Sequence, residues 1–294
     1  MDVQSSPGAA TSAASSSTSV DVPPLFQTRQ DQLLKDLPED GVEIAGDGRC
    51  DSPGYSAKYC TYTVLATEDG QILHYEQIRV GESSAVPSSS AMEKEGLARC
   101  LEKLEHYGVT VRSLTTDRHP AIRTYCRIKK PGMPHYFDVW HINKGVKKKL
   151  KAAAKSKGCE SIKPWIQSIT NHLYWVAAMG QGDEELTLSM WRSLLNHICN
   201  IHHGHEGPYT ECLHGPLEER DWMSRDSQAF RKLRGILENP RLLADLRHLS
   251  PKAQTSSLES FNNIRFARKS VAYSEDGMQA RSHLTGQSVR YPAS

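Results

Sequence analysis

Apolar and polar positions alternate over Val42-Glu-Ile-Ala-Gly-Asp47, a period of two that predicts a β-strand with one buried face. The same β-forming character returns over Tyr59–Leu65 and Ile72–Val80, with Asp69-Gly70 between them as a hairpin turn. Three strands joined by such short connections must be mostly antiparallel. The period then lengthens. Apolar residues at 92, 97, 101 and 104 predict a helix over Ala91–Tyr107, closed by Gly108. A strand over Val109–Thr116 ends on Asp117, and a helix follows from His119 to about Ile128, stopped by Pro131-Gly132. A short strand over His135–Val139 contains Asp138 and leads into a lysine-rich helix over Asn143–Lys157.

The predicted order is β-β-β-α-β-α-β-α. Crossovers through helices make neighbouring strands parallel, so the sheet is mixed, in the RNase H-like arrangement. Residues 161–249 read as an all-helical insertion, and a last core helix is expected from about Ser256 to Ala272. The chain thus divides into a Ser/Ala-rich tail expected to be disordered (1–22), a first part of an α/β core (23–160), the insertion (161–249), a segment with the last helix (250–281) and a polar tail (282–294). Leucines at 33, 34 and 37 predict a short helix leading into the core.

Composition narrows the function classes. Apolar content of 38% and charged content of 24% are those of an ordinary globular protein, and a net charge of +2 means that any basic surface is local. No apolar run approaches the roughly 18 residues of a membrane span, and no secretory leader is recognisable. The seven cysteines are scattered without a Cys-x-x-Cys pair, which suits a reducing, intracellular compartment.

Asp47, Asp117 and Asp138 each fall at or near the carboxyl end of a predicted strand, the edge where sites gather in open α/β sheets. Asp47 and Asp117 belong to neighbouring strands in this order, so their charges would repel unless a divalent cation lay between them. An Asp at a strand end is also a common turn former or helix cap, and either residue alone would be read that way. Glu259 on the last helix is the candidate third ligand, although Ser256-x-x-Glu259 also matches a capping box.

Several blocks carry a family resemblance. Gly46-Asp-Gly-Arg-Cys-Asp-Ser-Pro-Gly54 with Ala57-Lys-Tyr59 resembles the first catalytic block of DDE-type DNA transposases of eukaryotic transposons. Thr115-Thr-Asp-Arg-His-Pro120 resembles the second block, and Asp138-Val-Trp-His141 their Asp-x-x-His motif. Leu258-Glu-Ser-Phe-Asn-Asn263 is similar to the terminal Glu block. The nearest group is the Kolobok-like (THAP-associated) one, with the similarity running from about Val42 to Arg281.

The resemblance implies an RNase H-like catalytic core in which Asp47, Asp117 and Glu259 hold two Mg²⁺ or Mn²⁺ ions for DNA strand cleavage and transfer. Asp51, in the same block as Asp47, competes as first ligand; Asp47 is preferred because it ends the strand. Asp138 and His141 would lie near the metals without being primary ligands. Such proteins normally carry an N-terminal DNA-binding finger, and no Cys/His pattern for one is found here, so the chain could be a fragment, a decayed copy or a domesticated gene. The alternative function is accordingly a non-catalytic DNA- or protein-binding relative. Nuclear localisation, DNA as partner and homo-oligomerisation, with no membrane association, go with the catalytic reading.

Two further clusters stand out. Lys144, Lys147, Lys148, Lys149 and Lys151, with Lys155 and Lys157 beyond them, crowd one helix without an acid among them. Such a face would neutralise phosphates without reading sequence, the alternative being an ordinary solvated face. Cys199, His202, Cys212 and His214 are residues of the kind that bind structural zinc. Their spacing is that of no standard finger, and loop histidines with buried thiols are the preferred reading. The tryptophans at 165, 175, 191 and 222 are read as core rather than as base-stacking platforms.

Overall fold

Asp69 and Gly70 make a tight turn between two strands. Gly70 takes a positive φ of 70°, and the Asp69 carboxylate accepts the Gln71 N–H at 2.9 Å. This turn joins β2 (Tyr59–Ala66) to β3 (Ile72–Arg79), and β2 pairs antiparallel on its other side with β1 (Val42–Cys50). The structure is a computed structural model and describes residues 31–250, apart from 216 and 218. Expectations for the two terminal tails and for the last core helix, Glu259 included, fall outside the described residues.

After the meander come α1 (Ser89–His106), β4 (Val111–Thr116), α2 (Pro120–Lys129), β5 (His135–Phe137) and α3 (Val139–Ala153). The sheet order is β3-β2-β1-β4-β5, with β1–β4 and β4–β5 parallel. This is the mixed α/β sheet that the alternating periods predict, and it is compatible with an RNase H-like fold. β2 is buried along nearly its whole length, because it lies inside the sheet. α1 packs on β2 and β3 through Met92, Leu97, Cys100, Leu101 and Leu104, one apolar stripe of a 3.6-residue period. The approach is close because residue 96 is glycine: a Cβ there would lie 2.4 Å from Tyr62 Cβ and 2.8 Å from Ile78 Cδ1.

A second core joins α3 to α4 (Ile166–Gly180), α5 (Glu184–His197), α6 (Gln228–Leu237) and α7 (Pro240–Leu246). Trp165 and Trp191 are fully buried in it, and the Trp191 indole N–H donates to the Leu237 carbonyl at 3.0 Å. Trp175 and Trp222 pack against its rim. The tryptophans are therefore core, as their apolar neighbours predict. The all-helical reading of 161–249 needs correction, however. Among the described residues of 198–227 there is no helix, and positive φ angles at Asn200, Gly204 and Gly207 turn the chain repeatedly. A run this poor in apolar residues and rich in glycine cannot offer a helix a buried stripe.

The chain then returns to the sheet. Leu249 bridges Phe137 in parallel, Ser250 N–H donates to the Phe137 carbonyl at 3.0 Å, and Thr115 Oγ1 donates to Ser250 Oγ at 3.1 Å. Among the described residues no helix is long and apolar enough to cross a membrane.

Candidate functional site

The pairing register sets the site. Ala45 on β1 pairs with Thr115 on β4, and Thr116 on β4 pairs with Phe137 on β5. Asp47 thus lies two residues past the last β1–β4 pair, and Asp117 and Asp138 directly follow β4 and β5. One detail of the prediction changes. Asp47 does not end β1, which continues to Cys50 with Asp47 opposite Thr63 of β2. What stops short is the parallel pairing to β4, last seen at Ala45.

Each acid has local work. Asp117 Oδ1 accepts the His119 N–H at 3.0 Å, shaping the entry to α2. Asp138 is fully buried and its Oδ1 accepts the Trp140 N–H at 2.9 Å, capping α3, while its Oδ2 lies 4.0 Å from His141 Nε2. Asp51 sits in the β1–β2 connection, where its Oδ1 accepts Lys58 N–H at 3.0 Å and Tyr59 N–H at 3.4 Å. The turn-forming and capping roles thus exist alongside any ligand role.

A fourth acid joins the group from a different element. Glu93, in the second turn of α1, lies over β1 so closely that a Cβ on Gly48 would come within 2.6 Å of Glu93 Cγ. Its carboxylate oxygen is 4.0 Å from His119 Nε2. Burial, then the charges of Asp117, the Cys50 thiol and Asp47, push the Glu93 carboxyl up to about 8. The Tyr62 phenol beneath Gly46 is pushed up by burial first, then by Asp47 and Asp117, and its oxygen has no hydrogen-bond partner among the described residues. The Glu93 carboxyl therefore feels both Asp117 and Asp47 across the edge of the sheet. Carboxylate oxygens are the donors a hard divalent cation prefers, although among the described residues these acids do not form a group whose ligand atoms already lie within 4.8 Å of one another.

Glu93 escapes a reading by strand ends because it arrives from a helix. A signal was nevertheless present: Gly46 and Gly48 flank Asp47 on the opposite face of β1, and two glycines in a strand mark a close approach by something bulky. Here it is Tyr62 and Glu93.

The lysine helix begins at the same edge, since Asp138 caps α3 directly after β5. α3 buries Val139, Ile142, Val146, Leu150 and Ala153, which turns the lysines outward. Lys144, Lys147, Lys148, Lys151 and Lys155, with Ala152, line an open groove of about 520 Å³. Lys149 and Lys157 are also exposed. Lys144 Nζ sits 4.5 Å from the Trp140 ring centroid, which holds the first lysine of the stripe near the helix start.

A separate cluster gathers at the end of α5: His197, His202, Cys212 and His214 bring their ligand atoms within 4.8 Å of one another. Three of these are the sequence candidates. The fourth, Cys199, is replaced by His197; Cys199 instead packs against the helical core.

No family model and no curated protein matches the chain. Among solved structures, the Drosophila P element transposase strand transfer complex is similar at a TM-score of 0.37 and 11% identity, over 90% of this chain and 81% of that chain.

Proposed function

We propose that the chain is the catalytic core of a DDE-type transposase-derived protein, of the Kolobok-like kind its sequence blocks resemble, that cuts and joins DNA strands. Asp47, Asp117 and Glu259 would be the ligands of two Mg²⁺ or Mn²⁺ ions, with Asp47 preferred to Asp51 because the charge of Asp47, like that of Asp117, reaches the buried Glu93 carboxyl. The observation that supports the reading is that Asp47 and Asp117, each two residues past the paired Ala45 and Thr115, both raise the buried Glu93 carboxyl. Bound divalent ions would supply charge stabilisation and an activated oxygen nucleophile for phosphodiester cleavage and strand transfer.

The protein's own groups would do the rest. Asp117 and Asp138 fix the starts of α2 and α3 at the edge, so the acids and the lysine stripe share one rigid frame. The stripe would hold the DNA backbone through Lys144, Lys147, Lys148 and Lys151, neutralising phosphates without reading bases. His141, 4.0 Å from the buried Asp138 oxygen, would help hold that carboxylate near the edge. On this reading the chain works in the nucleus and as a homo-oligomer.

The test is nicking of supercoiled plasmid by the purified full chain. Cleavage that needs Mg²⁺ or Mn²⁺ and disappears in Asp117→Asn supports the proposal. DNA binding without cleavage under either ion would assign the chain to the non-catalytic relatives instead.

A further inference from the structure

We propose that His197, His202, Cys212 and His214 form a structural zinc site that fastens the non-helical stretch 198–227 to the end of α5. It draws on none of the acidic-edge residues.

All four donor atoms lie within 4.8 Å of one another, and the two shortest separations are close to those of a tetrahedral zinc site. Bonds of about 2.0 Å to nitrogen and 2.3 Å to sulfur put neighbouring donors roughly 3.3–3.6 Å apart. His197 Nδ1 lies 3.3 Å from His214 Nε2 and 3.7 Å from Cys212 Sγ. The rings of His202 and His214 lie edge to face with centroids 4.8 Å apart, and each is 5.0 Å from that of His197.

The outer nitrogens are tied down so that lone pairs face inward. His214 Nδ1 bonds the Gly215 carbonyl at 2.8 Å, which requires the proton there and leaves Nε2 as a donor to metal. His202 Nε2 bonds Asn200 Oδ1 at 3.0 Å, and its Nδ1 is buried without a hydrogen-bond partner among the described residues. A buried ring nitrogen with nothing to bond costs free energy, which a cation would recover.

The sulfur has its own support. Arg225 Nη2 donates to Asn196 Oδ1 at 2.6 Å, so the Asn196 amide N–H₂ faces His205 Nδ1, 3.1 Å away. His205 must then carry its proton on Nε2, which lies 3.3 Å from Cys212 Sγ. The chain Arg225–Asn196–His205 delivers a hydrogen bond to the sulfur, the outer support that a thiolate ligand needs. Trp165 and Trp222 pack edge-on against His197, closing the site with apolar rings.

The stretch itself calls for a fastener. It holds a narrow hairpin, with Cys212 N–H to the His202 carbonyl at 2.8 Å and His205 N–H to the Thr210 carbonyl at 3.0 Å, and Ser189 ties it to α5 through Glu206 and Tyr209. That hairpin sets His202 and Cys212 opposite each other. Every described cysteine is free, so no disulfide holds the stretch. Three imidazoles and one thiolate are borderline-soft donors that fit zinc and not Mg²⁺. Four protein ligands leave no open position, which makes the site structural rather than catalytic.

The test uses the full chain purified without chelator. It should carry about one zinc per chain, and cobalt(II) exchanged for zinc should give tetrahedral visible bands with a charge-transfer band of one-thiolate intensity. Cys212→Ser should lose that band, whereas Cys199→Ser and Asp117→Asn should keep both band and zinc. His205→Phe should keep the band and weaken zinc affinity about 10–100-fold. A folded parent with neither zinc nor a cobalt thiolate band overturns the proposal. So does a band of two-thiolate intensity, or one that follows Cys199. If Cys212→Ser does not fold, the parent's cobalt spectrum decides by the same criteria.

Discussion

Glu93 lies across β1 at Gly48, where a Cβ would meet its Cγ at 2.6 Å, its Cδ at 3.1 Å and Tyr62 Cδ2 at 3.2 Å. The helix–sheet distance at the acidic edge is therefore set by missing side chains. Gly96 on α1 does the same from the other side, and Tyr62 is fully buried between them. Gly96→Ala forces the Tyr62 ring and α1 apart and should cost about 1–3 kcal/mol or more, as overpacking does. Gly48→Ala meets the Glu93 side chain at Cγ, which can move by rotation about its own Cα–Cβ bond where backbone and Tyr62 Cβ cannot, so it should cost less stability while disturbing the acidic edge. Denaturant unfolding of the two variants measures both. A Gly96→Ala protein as stable as the parent would show that the packing there relaxes freely.

The same burial makes stability depend on pH. Glu93 keeps its proton up to about 8 in the fold against an ordinary 4.5, so the native state holds the extra proton across that window. Stability of the metal-free protein should fall as pH rises from about 4.5 toward 8. His135 and His172 act oppositely. Burial is the main cause that lowers each to about 4 from 6.5, so stability is lost as pH falls through that range. Thermal melts of Glu93→Gln against the parent isolate the first effect: the variant should lose the alkaline decline and keep the acid one. Parallel curves for the two proteins across the window would show that Glu93 does not hold the extra proton.

DNA binding should be electrostatic and weakly selective. Replacing Lys144, Lys147, Lys148 and Lys151 with Gln should lower affinity evenly across sequences. It should also flatten the salt dependence by about 0.9 in log–log slope for each phosphate that is no longer neutralised. An unchanged slope returns the groove to an ordinary solvated face. In competition between mixed duplexes, enrichment of one motif by about a thousandfold, the lower range of specific binders, would contradict the backbone-only reading.

What the sequence reveals and what it hides follow from distance along the chain. The sheet order was legible because each period, two or 3.6, is local, and a helix between strands dictates parallel neighbours. Asp117 and Asp138 were legible because each directly follows a strand. Glu93 was not, because its meeting with β1 depends on how α1 packs over Gly48, a contact between distant segments. The zinc candidates show the same limit. Cys199-x-x-His202 looks like a ligand pair, yet α5 ends at His197, and two residues of a helical turn rotate a side chain by about 200°. His197 faces the hairpin while Cys199 packs toward the helical core. The unwound stretch 198–227 was hidden for a related reason, since its histidines organise around a point in space and follow no period.

Whether Asp47 and Asp117 share a divalent cation at the sheet edge is decided by counting bound Mn²⁺ with electron paramagnetic resonance. The parent, Asp47→Asn, Asp117→Asn and Asp51→Asn are compared with DNA present. If the two acids share the ion, Asp47→Asn and Asp117→Asn each lose the tightly bound Mn²⁺ while Asp51→Asn binds as the parent does. Retention by Asp47→Asn with loss in Asp51→Asn, or Mn²⁺ binding equal in all four, would contradict the shared site.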